Sequence, residues 1–242
     1  MTTTPGEIMG RLGNQIIRNL AVSFIAKKHN LYVNYYNSNL ISELGINLYS
    51  GNNIYNDFKE LTEDNYFDVY NESNLNYNLI FKCVWLQSKE ITNNIYNYLH
   101  SDIIKSTIIE KNIFKERYNN NNDLFIHIRL GDVAHINPGI DYYLNAIKKI
   151  NNYNFIYIST DDQNHYIIKK IIEEYPNTFI NNMDEIRTLQ FGSTCKNIIL
   201  SRGSFSAVIG YLAFYSNIYY PKYDETKRHG GDMFSINNWI EL

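Results

Sequence analysis

Two rhythms of apolar and polar positions alternate along the second half of the chain. The run Leu124-Phe-Ile-His-Ile-Arg-Leu130 has the β-rich composition of a strand, and 140–150 follows with helical spacing. A strand at 155–159, a helix at 162–175, a short strand at 178–180 and a helix at 184–192 come next. A strand at 197–200, a helix at 205–216 and a strand at 218–220 complete the series. Short apolar strands alternating with helices at this interval predict right-handed crossovers and a parallel sheet covered on both faces, so this half reads as a doubly wound α/β domain. The stretch 203–221 carries no charge and is long enough to span a membrane. Its Ser204, Ser206, Ser216 and Asn217, closed by Pro221, favour a buried helix and strand instead.

The first half has one strong signal. Residues 14–29 form an amphipathic pattern with Ile17, Leu20, Ala21, Phe24 and Ile25 on one face and Asn14 at the N-cap, and a strand is expected over 31–36. Residues 37–100 break into short Asn-rich pieces with weak periodicity, after which Ser101 is expected to cap a helix running to about Tyr118. The domain junction is placed near that helix, giving an abbreviated N-terminal domain, 1–105, and a C-terminal domain, 106–242.

Composition narrows the function classes. An apolar share of 44% in 242 residues can fill one large core or two small ones, so disorder is not expected. The 36 Asn and 22 Tyr are spread over the whole chain and read as compositional drift, so an isolated Asn or Tyr carries no weight. A net charge of -3 without a dense basic stripe argues against a nucleic-acid polymer as partner. Cys83 and Cys195 lie far apart, with no CxxC and no Cys/His cluster, which points to neither a disulfide framework nor a zinc site and fits a reducing compartment. Residues 1–7 have neither a basic start nor an apolar run of signal-peptide type, so a soluble cytoplasmic protein is expected.

Candidate chemistry collects where strands end and helices begin, the place at which open parallel sheets bind ligands. Gly10-Arg-Leu-Gly-Asn-Gln15 opens the first helix, where glycines allow close backbone approach and free N–H groups favour an anion. In His127-Ile-Arg-Leu-Gly-Asp132, alternation puts His127 and Arg129 on one face of the strand, opposite Ile126, Ile128 and Leu130. Arg129 offers a planar fork suited to a diphosphate, and Asp132 can orient it, bind a sugar hydroxyl or merely tie the loop to it. Leu200-Ser-Arg-Gly-Ser-Phe-Ser206 precedes an apolar helix with Ser204 as its natural N-cap, a second helix-start anion site. Ser159-Thr-Asp-Asp162 places carboxylates at another strand end, either to read a base or ribose or to cap a helix. His229, Gly230, Gly231 and Asp232 fit a cleft lining or a solvated turn.

Together these segments resemble the GDP-fucose-dependent α-1,2-fucosyltransferases, family eleven among glycosyltransferases. The loop from Gly10 to Gln15 looks like that family's N-terminal glycine motif, and His127 to Asp132 looks like its HxRxGD motif. Phe191-Gly-Ser-Thr-Cys195 with Ser204-Phe-Ser206 resembles its third region. The resemblance implies a GT-B fold of two Rossmann-like domains facing a cleft, and transfer of fucose from GDP-fucose to a glycan hydroxyl, with inversion and without metal or cofactor. It implies that Arg129 contacts the β-phosphate and glycosidic oxygen and that His127, Ser204, Phe205 and Ser206 surround the diphosphate and ribose. Asp161 or Asp162 would read guanine, and Gly13 and Asn14 would approach from the other domain. Asp132, His229, Asp232 and Glu7 are all candidate general bases. The lack of a membrane anchor resembles bacterial or viral members. Family members often carry a second Arg where Leu130 stands. Ser201-Arg-Gly-Ser-Phe-Ser-Ala-Val-Ile-Gly210 also replaces the usual Asn-Ser-Ser-Phe-Ser-Trp-Trp-Gly, without its tryptophans. Two alternatives stay open: the same fold using another nucleotide-activated deoxysugar, such as a rhamnose donor, or a non-catalytic nucleotide-sugar or glycan-binding module.

Overall fold

The helical stripe behind the first glycine loop becomes α1 (Leu12–His29) in the computed structural model, which describes residues 2–5, 10–82, 84–222 and 231–242. Glu7, Cys83, His229 and Gly230 therefore lie outside the described residues. α1 starts two residues earlier than the sequence pattern suggests. Arg11 holds the N-cap position and makes no capping bond, while Asn14 sits in the first turn, its Oδ1 accepting a hydrogen bond from Gln87 Nε2 at 2.7 Å. Nor is the helix buried on one face only: Gln15, Arg18, Asn19 and Ser23 are buried along with Ile16, Ile17 and Leu20. A helix covered on all sides lies inside a core rather than on its surface.

The rest of the N-terminal half is short pieces: α2 (Ser38–Glu43), β1 (Phe58–Leu61), α3 (Tyr66–Asn71), β2 (Asn78–Phe81) and α4 (Lys89–Leu99). The strand expected over 31–36 is reduced to single parallel bridges, Leu31 to Asn53 and Val33 to Thr3. Thr3 Oγ1 accepts from the Leu79 N–H at 2.8 Å, which ties these segments to the parallel β1–β2 pair. The helix expected from 101 to 118 stops early, as α5 (Asp102–Lys111), with Ser101 at its N-cap. Asn112 ends it by turning extended, its Oδ1 accepting from Phe114 N and its Nδ2 donating to the Gln190 carbonyl.

The second half follows the alternation closely, with β3 (Leu124–Ile128), α6 (Ile140–Lys149), β4 (Ile156–Thr160), α7 (Tyr166–Glu174) and β5 (Thr178–Ile180). Then come α8 (Glu185–Gly192), β6 (Asn197–Ile199), α9 (Ser204–Tyr211), β7 (Asn217–Tyr220) and β8 (Ile240–Glu241). All neighbouring strands are parallel, in the order β5-β4-β3-β6-β7-β8. Counted from β3 this is the 3-2-1-4-5-6 order of a doubly wound sheet, an α/β architecture compatible with a Rossmann-like fold. α7 begins at Tyr166 rather than near 162, because Asp162 Oδ1 accepts from Asn164 N and holds a turn there. Among the described residues no helix is long and apolar enough to cross a membrane.

Alternation along β3 divides the core. Leu124, Ile126 and Ile128 pack with Tyr143 and Ile147 of α6 and Ile168 of α7, while Phe125 joins a larger cluster on the other face. Ile126 and Ile128 are fully buried, each contributing roughly 1.5–3 kcal/mol of transfer free energy. The larger cluster runs without a break from Ile17 and Leu20 of α1 and Ile91 of α4 to Leu189 of α8 and Val208 of α9. His100, at the end of α4, is seated beside it: its ring lies 3.9 Å from that of Tyr96, and its Nε2 is 3.0 Å from the Tyr211 carbonyl oxygen.

Burial lowers the His100 pKa from 6.5 to about 4, against the opposing pull of the Tyr211 carbonyl. Unfolded, the imidazole takes up its proton near 6.5; folded, it does so only near 4. Its contribution to stability is therefore complete above about pH 6.5 and is lost as pH falls toward 4. Urea unfolding between those limits is expected to show that loss, on the order of 1–3 kcal/mol from this group. His100→Gln, which keeps a nitrogen near the carbonyl, is expected to flatten the pH dependence.

Candidate functional site

β3 leads to β4 on one side, whereas β6 starts the return on the other, so the carboxyl ends of β3 and β6 flank the point at which the strand order reverses. A cleft of about 330 Å³ opens there. Its walls include Gly10, Gly13 and Asn14 from the start of α1, His127 and Arg129 from β3 and the residue after it, and Ser204 and Phe205 from the start of α9.

One contact sets the distance between the two helices. A Cβ on Gly13 would lie 2.5 Å from Phe205 N and 2.7 Å from its Cα, so α1 and α9 meet backbone to backbone at their N-terminal ends. Neither helix has a side-chain cap. α9 begins at Ser204, with Gly203 at the N-cap position (φ +107°), so Ser204 is the first helical residue and not the expected cap. Gly10, at φ +82°, makes the turn into α1, and the Asn14 side chain folds over the space its Cβ would fill. The first-turn N–H groups of both helices thus border one cleft, and each helix start carries roughly half a positive charge.

Arg129 is held by two carboxylates. Its guanidinium pairs with Asp161 Oδ2 through Nη1 and with Asp132 Oδ1 through Nη2, at 17% side-chain exposure. Asp161 Oδ1 also accepts from the N–H groups of Leu130 (2.8 Å) and Gly131 (3.1 Å). Burial opposes ionisation of Asp161, but those N–H groups and Arg129 outweigh it and hold the carboxyl below its ordinary pKa. Asp161 therefore acts as a bracket that fixes the loop after β3 and aims Arg129. Asp132 Oδ2 lies 3.4 Å from Arg11 Nη2, so this carboxylate links the α1 entry to the β3 exit.

His127 is 6% exposed, with Nδ1 2.5 Å from Ser206 Oγ and its ring 5.2 Å from that of Phe205. Burial lowers its pKa to about 4, so it is neutral at pH 7 and supplies no second cation to the face it shares with Arg129. Arg202 lines the cleft as well, its Nη1 donating to the Ile136 carbonyl at 2.9 Å and its Nη2 to the Lys222 carbonyl at 3.1 Å.

Of the residues expected at a site, Gly13, Asn14, His127, Arg129, Asp132, Asp161, Ser204 and Phe205 line this cleft. Ser206 is fully buried behind the wall, where it bonds His127, and Asp162 does not line the cleft. Asp232 is spent on a turn, its Oδ1 accepting from Phe234 N and Ser235 N. The Phe191–Cys195 stretch packs behind β3: a Cβ on Gly192 would meet the Phe125 ring at 2.7 Å, and burial pushes the Cys195 thiol up to about 12. Arg11, Trp85, Glu185 and Arg202 also line the cleft without having been singled out in sequence. Arg11 and Arg202 are readable from Gly10 and Gly203 beside them, whereas Trp85 and Glu185 arrive by tertiary packing alone. Among the described residues no three His, Cys, Asp or Glu side chains gather as a metal site.

Gly13→Ala is expected to push α1 and α9 apart and lower stability by about 1–3 kcal/mol, the usual range for overpacking. The urea midpoint at pH 7 checks this.

No protein-family profile matches the chain, and no curated protein matches it.

Proposed function

We propose that the cleft binds a nucleoside-diphosphate sugar and that the protein is an inverting, metal-independent glycosyltransferase of GT-B type. The donor proposed is GDP-fucose and the acceptor a glycan hydroxyl. The observation that carries the reading is the meeting of two uncapped helix starts at Gly13 and Phe205, beside Arg129, at the carboxyl end of a 3-2-1-4-5-6 sheet. This arrangement offers a diphosphate N–H donors from two directions together with a planar guanidinium. The choice of fucose and guanine rests on the sequence resemblance.

In the proposed reaction the acceptor oxygen attacks the anomeric carbon from the face opposite the diphosphate. The bond from that carbon to the β-phosphate oxygen breaks, and its electron pair leaves with the nucleoside diphosphate. Arg129 and the N–H groups at the start of α9 stabilise the charge that builds on the leaving oxygen. The hydroxyl proton passes to a carboxylate. Among the described residues, Asp132 is the candidate in the cleft whose oxygens pair only with side chains, Arg11 and Arg129. Asn14, bonded to Gln87, positions the sugar side. Asp161 is already occupied by Arg129 and two backbone N–H groups, so base recognition by this carboxylate requires one of those bonds to open.

Two experiments test the proposal. Thermal shift against GDP, UDP, dTDP and their sugars is expected to show stabilisation by GDP and GDP-fucose alone; equal shifts with all three bases refute guanine recognition. Arg129→Ala is expected to lower transfer from GDP-fucose by about a hundred- to a thousandfold, and full activity in that variant overturns its assignment. Binding of GDP-fucose with neither transfer nor hydrolysis identifies a binding module instead.

A further inference from the structure

We infer that Arg202 is a second catalytic cation of this cleft, contacting the leaving diphosphate alongside Arg129. The inference rests on the nucleotide-sugar reading above. Position 130, next to Arg129, holds leucine, and Leu130 is 2% exposed and packed in the cluster with Tyr143 and Ile147. That position faces away from the cleft, so the backbone could not deliver a charge from it.

The charges of the lining show what Arg202 adds. Arg11, Arg129 and Arg202 are balanced by Asp132, Asp161 and Glu185, three against three. Arg129 is matched by two of those carboxylates and Arg11 by one of the same two. Arg202 bonds only to backbone carbonyls among the described residues. Carbonyl oxygens orient a guanidinium without neutralising it, and the rest of its N–H fork remains to donate. Arg202 also immediately precedes Gly203, the N-cap position of α9, whose start has no side-chain cap and has open space where a Gly203 Cβ would stand. A half-buried guanidinium with no carboxylate partner among the described residues and a helix start therefore border the same cleft. Without Arg202 the described lining would carry a net negative charge, which repels a diphosphate.

The test is titration calorimetry with inorganic pyrophosphate, with GDP, UDP and dTDP, and with the nucleoside of whichever nucleotide binds. Wild type, Arg202→Ala, Arg202→Gln and Arg202→Lys are compared. Glutamine still donates to a carbonyl but carries no charge, and lysine carries charge without the fork. Arg202→Ala and Arg202→Gln are expected to weaken pyrophosphate and nucleotide binding about tenfold or more while leaving the nucleoside unaffected, and Arg202→Lys to recover part of the loss. If Arg202→Gln binds pyrophosphate within about twofold of wild type, the inference is overturned and the nucleotide-sugar reading stands. Loss of nucleoside binding in equal measure, with no recovery by lysine, makes Arg202 a loop brace and likewise overturns it. Wild type that binds neither pyrophosphate nor any of the nucleotides overturns both.

Discussion

The architecture of the cleft depends on a side chain that is missing. At Gly13 the backbone of α1 comes so close to Phe205 of α9 that a methyl group would sit 2.5 Å from an amide nitrogen. Because the two helices touch there, their free N–H groups border one space, and the Phe205 ring reaches that of His127. The same contact seats α1 inside the structure, which forces Gln15 and Asn19 out of water. Gln15 is satisfied locally, donating to the Gly10 carbonyl and accepting from Asn37; Asn19 donates to the Tyr36 carbonyl, while its Oδ1 has no partner among the described residues. The polar core of the N-terminal half is thus a consequence of the close helix approach, and its hydrogen bonds also hold the Gly10 turn in shape.

A second constraint is electrostatic. Arg129 sits at the end of a buried strand, where an unpaired charge would be costly, and it is met from two sides by Asp161 and Asp132. The two carboxylates are not equivalent. Asp161 is bound to the loop through two backbone N–H groups, so it moves only if the loop moves. The Asp132 side chain is 57% exposed and, among the described residues, pairs only with side chains. An anion approaching Arg129 would therefore displace Asp132 more readily than Asp161, which keeps Arg129 aimed.

Much of the second half was legible because its elements are short and one-sided. Residues 178–180 were bounded as the structure has them, and β3, α6, β4, α8, β6 and β7 agree to within one or two residues at each end. Period two against period 3.6 decided them. The N-terminal half resisted because its order is tertiary: two extended segments make single bridges to distant residues, and α1 is covered on every side, which blurs any apolar stripe. Local signals also misplaced helix ends in α1, α5, α7 and α9, the last of which stops at Tyr211 rather than 216. Asn14 and Ser204 look like caps, yet glycine or arginine holds each N-cap position, and Asn112 stops α5 through bonds that no local pattern announces. The misplaced caps matter for function, since a capped helix start would have spent an N–H group that these helices keep free. Arg129, His127 and Asp132 could be placed because strand alternation fixes their face; Trp85 and Glu185 could not, having no motif around them.

The neutrality of His127 completes the electrostatic picture. A histidine on the same strand face as an arginine suggests a pair of cations, but burial holds its pKa near 4 and its Nδ1 is engaged with Ser206. Near neutral pH the described cations of the cleft are therefore guanidiniums, which do not titrate in the range of biological interest. The positive charge of the described lining is consequently constant between about pH 5 and 8. His127 then serves shape more than charge: it fills the wall between β3 and α9, so the uncapped N–H groups of α9 stay beside the guanidinium whose charge they reinforce.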